Sequence, residues 1–176
     1  MKTWLAAVIV SGILMVADAR AMAVHEHGWA RPMTTESAQR GAWSVETQDG
    51  HGLWASTKGD QGLLGQFCSD DGACAWLIVL WNASCSDGEQ HPVLVNTDRS
   101  ASHHVLQCIG TLPGVGSALA FADFDSVDSA LRGASVVGVA IPEPMDAIGI
   151  AHFTLDGAAA AIDSMRARIV AQAHEP

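Results

Sequence analysis

The sequence contains few basic residues for its size. Its 176 residues include nine Lys and Arg against nineteen Asp and Glu, which gives a formal net charge of −10. A nucleic-acid-binding protein needs a basic face, so this balance argues against that class. Only 16% of the residues are charged, which argues against a coiled coil, and the apolar fraction of 49% argues against disorder. The length predicts one domain.

Long apolar runs are also scarce, and the one that occurs lies at the N-terminus. Lys2 precedes an apolar run of 14 residues, 4–17, and two small-x-small sites follow at 19–21 and 21–23. This arrangement is typical of a cleaved secretory signal, and the run is shorter than the roughly 20 residues of a membrane span. We therefore predict a signal peptide at residues 1–21 and a periplasmic or secreted mature protein without a membrane span. An uncleaved anchor is the alternative.

Removal of the signal peptide makes the chain more acidic. Seven basic and eighteen acidic residues remain, so the net charge of the mature chain is −11, and Lys58 is its single lysine. If the protein has a partner, this charge favours a basic protein, with no nucleic acid. Residues 22–41 are polar and contain Pro32, so we predict a flexible leader there and one globular domain over residues 42–176.

All four cysteines lie in the mature chain, at Cys68, Cys74, Cys85 and Cys108. An even number in an exported protein predicts two disulfides, for which three connectivities exist. Turn-forming residues 69–73 separate two β-prone runs, so a hairpin would place Cys68 opposite Cys74. We therefore favour Cys68–Cys74 and Cys85–Cys108. The spacing lacks a C-x2-C pair, which makes a zinc site the weaker hypothesis.

Short β-prone runs separated by turns fill most of the domain, and two segments have helical patterns. The predicted strands are 43–47, 53–57, 63–67, 75–81, 93–96, 103–109, 118–122, 136–141 and 148–155. A short helix is expected at 124–131, capped by Asp123 or Asp125. A C-terminal helix is expected from Asp156 to about Ala173. The predicted fold is α+β, with about eight short strands in an antiparallel β-sandwich or barrel, one short helix and a C-terminal α-helix.

No motif selects a catalytic site or a cofactor. The sequence contains no H-E-x-x-H, Walker loop, C-x-x-C or G-x-S-x-G pattern. The acids from Asp123 to Asp128 lack the Gly and Glu of a calcium loop, so helix capping explains them better. His103 and His104 lie in one strand and should point to opposite faces. His25 and His27 near the mature start leave copper or zinc binding open only as a third hypothesis. We predict no catalytic residue, metal ligand or cofactor.

Five tryptophans remain after processing. Trp43, Trp76 and Trp81 lie in predicted strands, so we expect them in the core. Trp54 is the candidate for an exposed contact residue, because an exposed Trp is a frequent anchor of protein interfaces.

The order of these features resembles the invasion-associated locus B family of small exported bacterial proteins. Trp43-x-Val45 begins the first strand, Cys68 and Cys74 follow two strands later, and Phe153-Thr154-Leu155-Asp156-Gly157-Ala158 leads into an Ala-rich helix. The resemblance covers about residues 42–172. Ala158 stands where the family commonly has an aromatic residue. The resemblance implies a periplasmic, non-enzymatic, β-rich protein associated with the envelope or a host, and it supplies no catalytic residues.

These observations favour a protein that acts by binding another protein. One alternative is an inhibitor or immunity protein that neutralises a basic cell-wall hydrolase through complementary charge. A second alternative is a small secreted hydrolase whose active site is assembled from residues distant in the sequence.

Overall fold

A computed structural model describes residues 38–48, 52–142 and 148–172 of the chain. The predicted signal peptide, the tryptophan at position 29 and the histidines at positions 25 and 27 lie outside these residues. The described strands are β1 (Ala38–Arg40), β2 (Trp43–Gln48), β3 (Gly52–Lys58), β4 (Gly62–Cys68), β5 (Cys74–Trp81), β6 (Gln90–Thr97), β7 (Ala101–Leu112), β8 (Gly116–Phe121), β9 (Val136–Pro142) and β10 (Ile148–Thr154). The helices are α1 (Phe124–Leu131) and α2 (Ala158–Gln172).

The strands form one antiparallel sheet in the order β1-β2-β3-β4-β5-β8-β7-β6-β9-β10. Strands β6, β7 and β8 therefore fold back on one another, and β8 pairs with β5. The connection from β5 to β6 must therefore pass across β8 and β7, which lie between these two strands in the sheet. The Cys85–Cys108 disulfide fastens that connection to β7, with a separation of 23 residues along the chain.

One face of the sheet contains the hydrophobic core. Alternate residues of the strands point to this face, and both helices pack against it. Trp43 and Trp76 meet there edge to face, with ring centroids 6.2 Å apart. In α2, the predicted stripe of Ile162, Met165 and Ile169 is buried, as the helical spacing indicated.

The two helices begin where local backbone geometry allows. Asp123 caps α1, because its side chain accepts a hydrogen bond of 3.1 Å from the Ser126 backbone N–H. This confirms the capping interpretation of the acidic run. The second helix begins at Ala158, two residues later than predicted from Asp156, because Gly157 has a φ of +87°, outside the helical range.

The structure corrects the predicted fold in two respects. The described chain has ten strands rather than about eight, and its sheet is not closed into a barrel by a ladder of backbone hydrogen bonds. The first strand lies inside the segment predicted as a leader, because Ala38–Arg40 pairs with β2. Residues 38–41 therefore belong to the folded part of the chain.

Candidate functional site

The outer face of β6, β9 and β10 carries a concave surface, which we call the β9 trough. Two cross-strand rows build it. One row is Leu94, Ala140 and Ile150, and the next is Asn96, Gly138 and His152. The two residues in the middle of these rows, Ala140 and Gly138, have small or no side chains and form the floor. Larger residues of β6 and β10 form the walls. The space between them has a volume of about 650 Å³.

The β9 trough is apolar at one end and polar at the other. Ile150 is 44% exposed and Leu94 is 36% exposed, so two large aliphatic side chains meet solvent along the walls. Asn96, Asp98 and His152 lie toward the other end. None of the described residues that line the trough is Lys or Arg. Exposed aliphatic groups around a concave surface are typical of a binding site rather than of ordinary surface.

Side chains from the β3–β4 turn hold the far edge of β10. Asp60 accepts a hydrogen bond of 2.9 Å from the His152 backbone N–H, and its other oxygen lies 3.3 Å from the His152 ring. Gln61 donates to the Ile150 carbonyl at 3.2 Å. The backbone hydrogen bond from His152 is the main reason that the pKa of Asp60 lies below its ordinary value. These bonds fix the β10 wall of the trough.

A second polar cluster lies between the helices and the sheet, around Asp128. Its Oδ1 atom accepts hydrogen bonds from the Trp76 indole at 3.0 Å and from Arg166 at 2.8 Å, and Gln66 donates to the same atom at 3.2 Å. Arg132 contacts Oδ2 at 3.2 Å. Burial raises the pKa of Asp128, but the Trp76 hydrogen bond and the charges of Arg166 and Arg132 outweigh burial and lower it. The cluster therefore binds α1, α2, β4 and β5 together.

A cavity of about 120 Å³ adjoins this cluster, lined by Trp76, Leu131, Ala158 and Ile162 among others. The charged groups at its edge, Asp128 and Arg132, already bind one another. The cavity therefore offers little polar chemistry for a substrate.

The two adjacent histidines of β7 point to opposite faces, as predicted. His103 is exposed, whereas His104 is 7% exposed and packs edge to face on Phe121 with a centroid distance of 6.0 Å. His104 Nε2 and the Ser102 hydroxyl share a hydrogen bond of 2.8 Å. Burial lowers the pKa of His104, and only the nearby Asp123 charge opposes this effect. His104 is therefore a buried residue rather than an exposed ligand.

Both favoured disulfides are present. Cys68 and Cys74 face one another directly in the β4–β5 ladder, with their Cα atoms 4.1 Å apart. Cys85 and Cys108 form the second bridge. Within the described residues, no group of three His, Cys, Asp or Glu side chains is placed to hold a metal ion.

The structure corrects the expectation for Trp54. Its side chain is 6% exposed, so it is not available as an interface anchor. The reason lies in the paired strand: Gly65 lacks a Cβ, and a Cβ there would lie 2.9 Å from the Trp54 ring. The missing side chain leaves room for the indole to lie against the sheet.

Trp43 and Trp76 are in the core as predicted. Trp81 is only half-buried, and the Lys58 ammonium lies over it, 5.1 Å from the ring centroid.

Comparison with solved structures finds a protein with a similar fold. The crystal structure of invasion associated protein B from Bartonella henselae matches with a TM-score of 0.58, covering 80% of this chain and 100% of that one. The chain is similar in fold to invasion associated protein B. This confirms, at the level of the fold, the resemblance noted from the sequence. The sequence identity is 16%, so the likeness describes the fold alone. No family model and no curated protein matches the sequence.

Sequence reasoning missed both the β9 trough and the Asp128 cluster. The trough had one visible signal, because Gly138 interrupts a run of β-branched residues in Val136–Ile141. The cluster had none, since Gln66 and Arg166 are 100 residues apart in the chain.

Within the described residues, no helix has both the length and the apolar character needed to cross a membrane.

Proposed function

We propose that this chain is an exported, disulfide-stabilised protein that acts by binding another protein and not by catalysis. The observation that carries the proposal is the β9 trough, an exposed concave surface with one apolar and one polar end, built on three paired strands. Binding sites on strands keep their shape before the partner arrives, which lowers the entropy cost of association. The fold likeness and the two disulfides agree with an exported interaction protein.

The partner that we propose is a basic protein of the cell envelope or of a host. The mature chain carries a net charge of −11 if residues 1–21 are removed, so a basic protein would be attracted at long range. A more specific form of the same proposal is an inhibitor or immunity protein that neutralises a basic cell-wall hydrolase. In that form the acidic surface supplies the attraction and the apolar trough supplies the contact.

The test begins with protein that has been exported and processed by its own signal. The immobilised mature protein is mixed with periplasmic or host-cell extract at low salt, about 20 mM, and bound proteins are identified by mass spectrometry. A candidate is then purified and its affinity is measured at about 20 mM and about 300 mM salt, since screening weakens charge attraction. We expect a basic partner whose affinity decreases at the higher salt concentration. The absence of any protein partner at low salt would contradict the proposal.

The inhibitor form has a separate readout. A basic lysozyme is assayed on cell-wall fragments with and without the mature protein. Inhibition at near-equimolar ratio supports this form, whereas full lytic activity in the presence of excess protein argues against it for that enzyme class.

A further inference from the structure

Gly138 is the one glycine of the trough rows, and the backbone does not require it. In strands β3, β4, β7 and β8, every glycine has either a positive φ or a neighbouring backbone atom closer than 3.0 Å to where a Cβ would lie. Gly138 has neither feature. Its ideal Cβ would meet Ile150 at 3.4 Å and His152 at 3.6 Å, which are ordinary contact distances.

A Cβ at position 138 would therefore fit the strand, and the neighbouring Ile150 and His152 side chains are exposed, so they can move aside for a larger residue. A larger residue would also favour the strand conformation, because glycine in a strand interior loses more backbone entropy on folding and has no side chain to pack against its neighbours. A stability argument thus predicts Val or Ile at this position, like the flanking Val137 and Val139. Glycine instead keeps the floor of the trough open, and glycines in strands often mark places where another backbone approaches closely.

The dimensions of the trough select the shape of its occupant. The walls belong to β6 and β10, which are separated by β9 and so lie about 10 Å apart, two strand spacings. This width accepts a single extended chain that lies over β9. The Leu94–Ala140–Ile150 row offers a place for an apolar side chain between two aliphatic ones.

The charge at the polar end of the trough determines which partner side chain is attracted there. Asp98 lines the trough, whereas Asp60 lies outside it, at the far edge of β10. No described lining residue is Lys or Arg, so no such side chain neutralises the Asp98 carboxylate within the trough. A cationic side chain of a partner would be attracted there, whereas an acidic one would be repelled.

We propose that the β9 trough binds an extended segment of a basic protein, with an apolar side chain between Leu94 and Ile150 and a Lys or Arg at the Asp98 end. The inference rests on the proposed binding function and names the surface and the partner segment.

The test uses the mature protein and a phage-displayed library of random 12-residue peptides. We expect selected peptides to share an apolar residue next to Lys or Arg, and a synthetic peptide of that type to shift the NMR signals of Leu94, Gly138 and Ile150. Two variants address the site. Gly138→Val fills the floor, and Leu94→Lys adds a cation to the wall. Val105→Lys is the matched control, because Val105 is 37% exposed, against 36% for Leu94, and lies on β7 outside the trough.

Gly138→Val and Leu94→Lys should each reduce the affinity for the peptide at least tenfold, whereas Val105→Lys should leave it within twofold. Gly138→Val should also unfold at a urea midpoint no lower than that of the wild type, which separates loss of the site from loss of the fold. Equal binding by wild type and Gly138→Val, or selection of acidic peptides, would overturn the inference. If a natural partner binds both proteins equally, the binding function stands and the assignment to the trough is wrong.

Discussion

At the scale of single residues, Asp128 makes the most concentrated set of polar contacts in the described chain. It lies on α1 and receives donors from β4, β5 and α2. Its side chain is 16% exposed, so the carboxylate is largely removed from water and depends on these donors for stabilisation. The guanidinium of Arg166 also lies 5.6 Å from the Phe124 ring centroid, which adds a second contact between α2 and α1.

The charge of Asp128 should therefore stabilise the fold. Asp128→Asn keeps an acceptor for Trp76 but leaves Arg166 without its counter-charge, so we expect the free energy of unfolding to fall by about 2 kcal/mol. Asp163→Asn is the control, since Asp163 is 65% exposed and lies 3.6 Å from Arg132; its effect should stay below about 0.5 kcal/mol. Urea denaturation measures both. Equal effects of the two substitutions would contradict a special role for the buried carboxylate.

His104 should make stability depend on pH. Burial lowers its pKa in the folded protein below the ordinary value of 6.5, so the unfolded chain binds the proton more readily. Its contribution to stability is complete above the unfolded pKa and declines as the pH falls through it, by up to about 1.4 kcal/mol per pH unit. We expect the wild type to lose stability between about pH 7.5 and about pH 5.5, and His104→Gln to lose less.

His103→Gln provides the comparison for this measurement, because His103 is the adjacent histidine and is exposed. It should change the pH dependence less than His104→Gln does, because burial, and not the His103 charge, is the largest cause of the lowered pKa of His104. If both substitutions changed the pH dependence equally, burial of His104 would not be its cause.

At the scale of elements, the two disulfides perform different tasks. Cys68–Cys74 joins two strands that are already paired by a tight turn, over a separation of 6 residues. Cys85–Cys108 joins the crossing β5–β6 connection to β7, over 23 residues. The second bridge restricts the unfolded chain more, and it adds a covalent link where Gly88 and Glu89 already form backbone hydrogen bonds with Cys108.

Replacement of each pair by alanine should show this difference. In the loop-entropy description, loss of Cys85–Cys108 lowers the free energy of unfolding by about 3 kcal/mol and loss of Cys68–Cys74 by about 2 kcal/mol. Urea midpoints of the two double variants, purified from an oxidising compartment, measure the order. A larger loss from the hairpin bridge would show that native contacts, and not loop length, control the effect.

At the scale of the whole molecule, side chains from β2 and the β3–β4 turn contact the free edge of β10, where a backbone ladder is missing. Asp60 and Gln61 bind the backbone of β10, and the Trp43 indole donates to the Thr154 carbonyl at 3.0 Å. These bonds occupy alternate backbone groups along the outer edge of β10. An unpaired edge is a template for association with other chains, so the side chains also protect the protein from aggregation.

Removal of the Asp60 and Gln61 side chains should expose the outer edge of β10 without unfolding the core. In Asp60→Ala/Gln61→Ala, we expect the His152 amide to exchange with solvent roughly tenfold faster, while the amides of β5 keep their protection. The variant should also self-associate at high concentration, as measured by size-exclusion chromatography. Asp70→Ala, at the exposed β4–β5 turn, is the control and should change neither property. Unchanged exchange at His152 would show that the Asp60 and Gln61 side chains do not protect the edge of β10.

Much of the secondary structure could be predicted from local pattern. The alternation in Trp43–Thr47 and the continuous apolar run in Ala75–Trp81 each became a strand, the latter at the centre of the sheet. Prediction failed where the pattern was short or polar. Ala38–Arg40 is too short and polar to be recognised as a strand, and its order depends on non-local contacts with β2 and α2.

The amino-acid sequence by itself determined most of the strands, the helix stripe of α2 and the acidic charge, because each depends on neighbours in the chain or on composition. Only the tertiary structure decided the strand order, the burial of Trp54, the Asp128 cluster and the β9 trough. These features depend on residues that are brought together by non-local pairing, as Asn96, Gly138 and His152 are. Hydrophobic patterning specifies which face of a strand is buried, but not which other strand lies beside it.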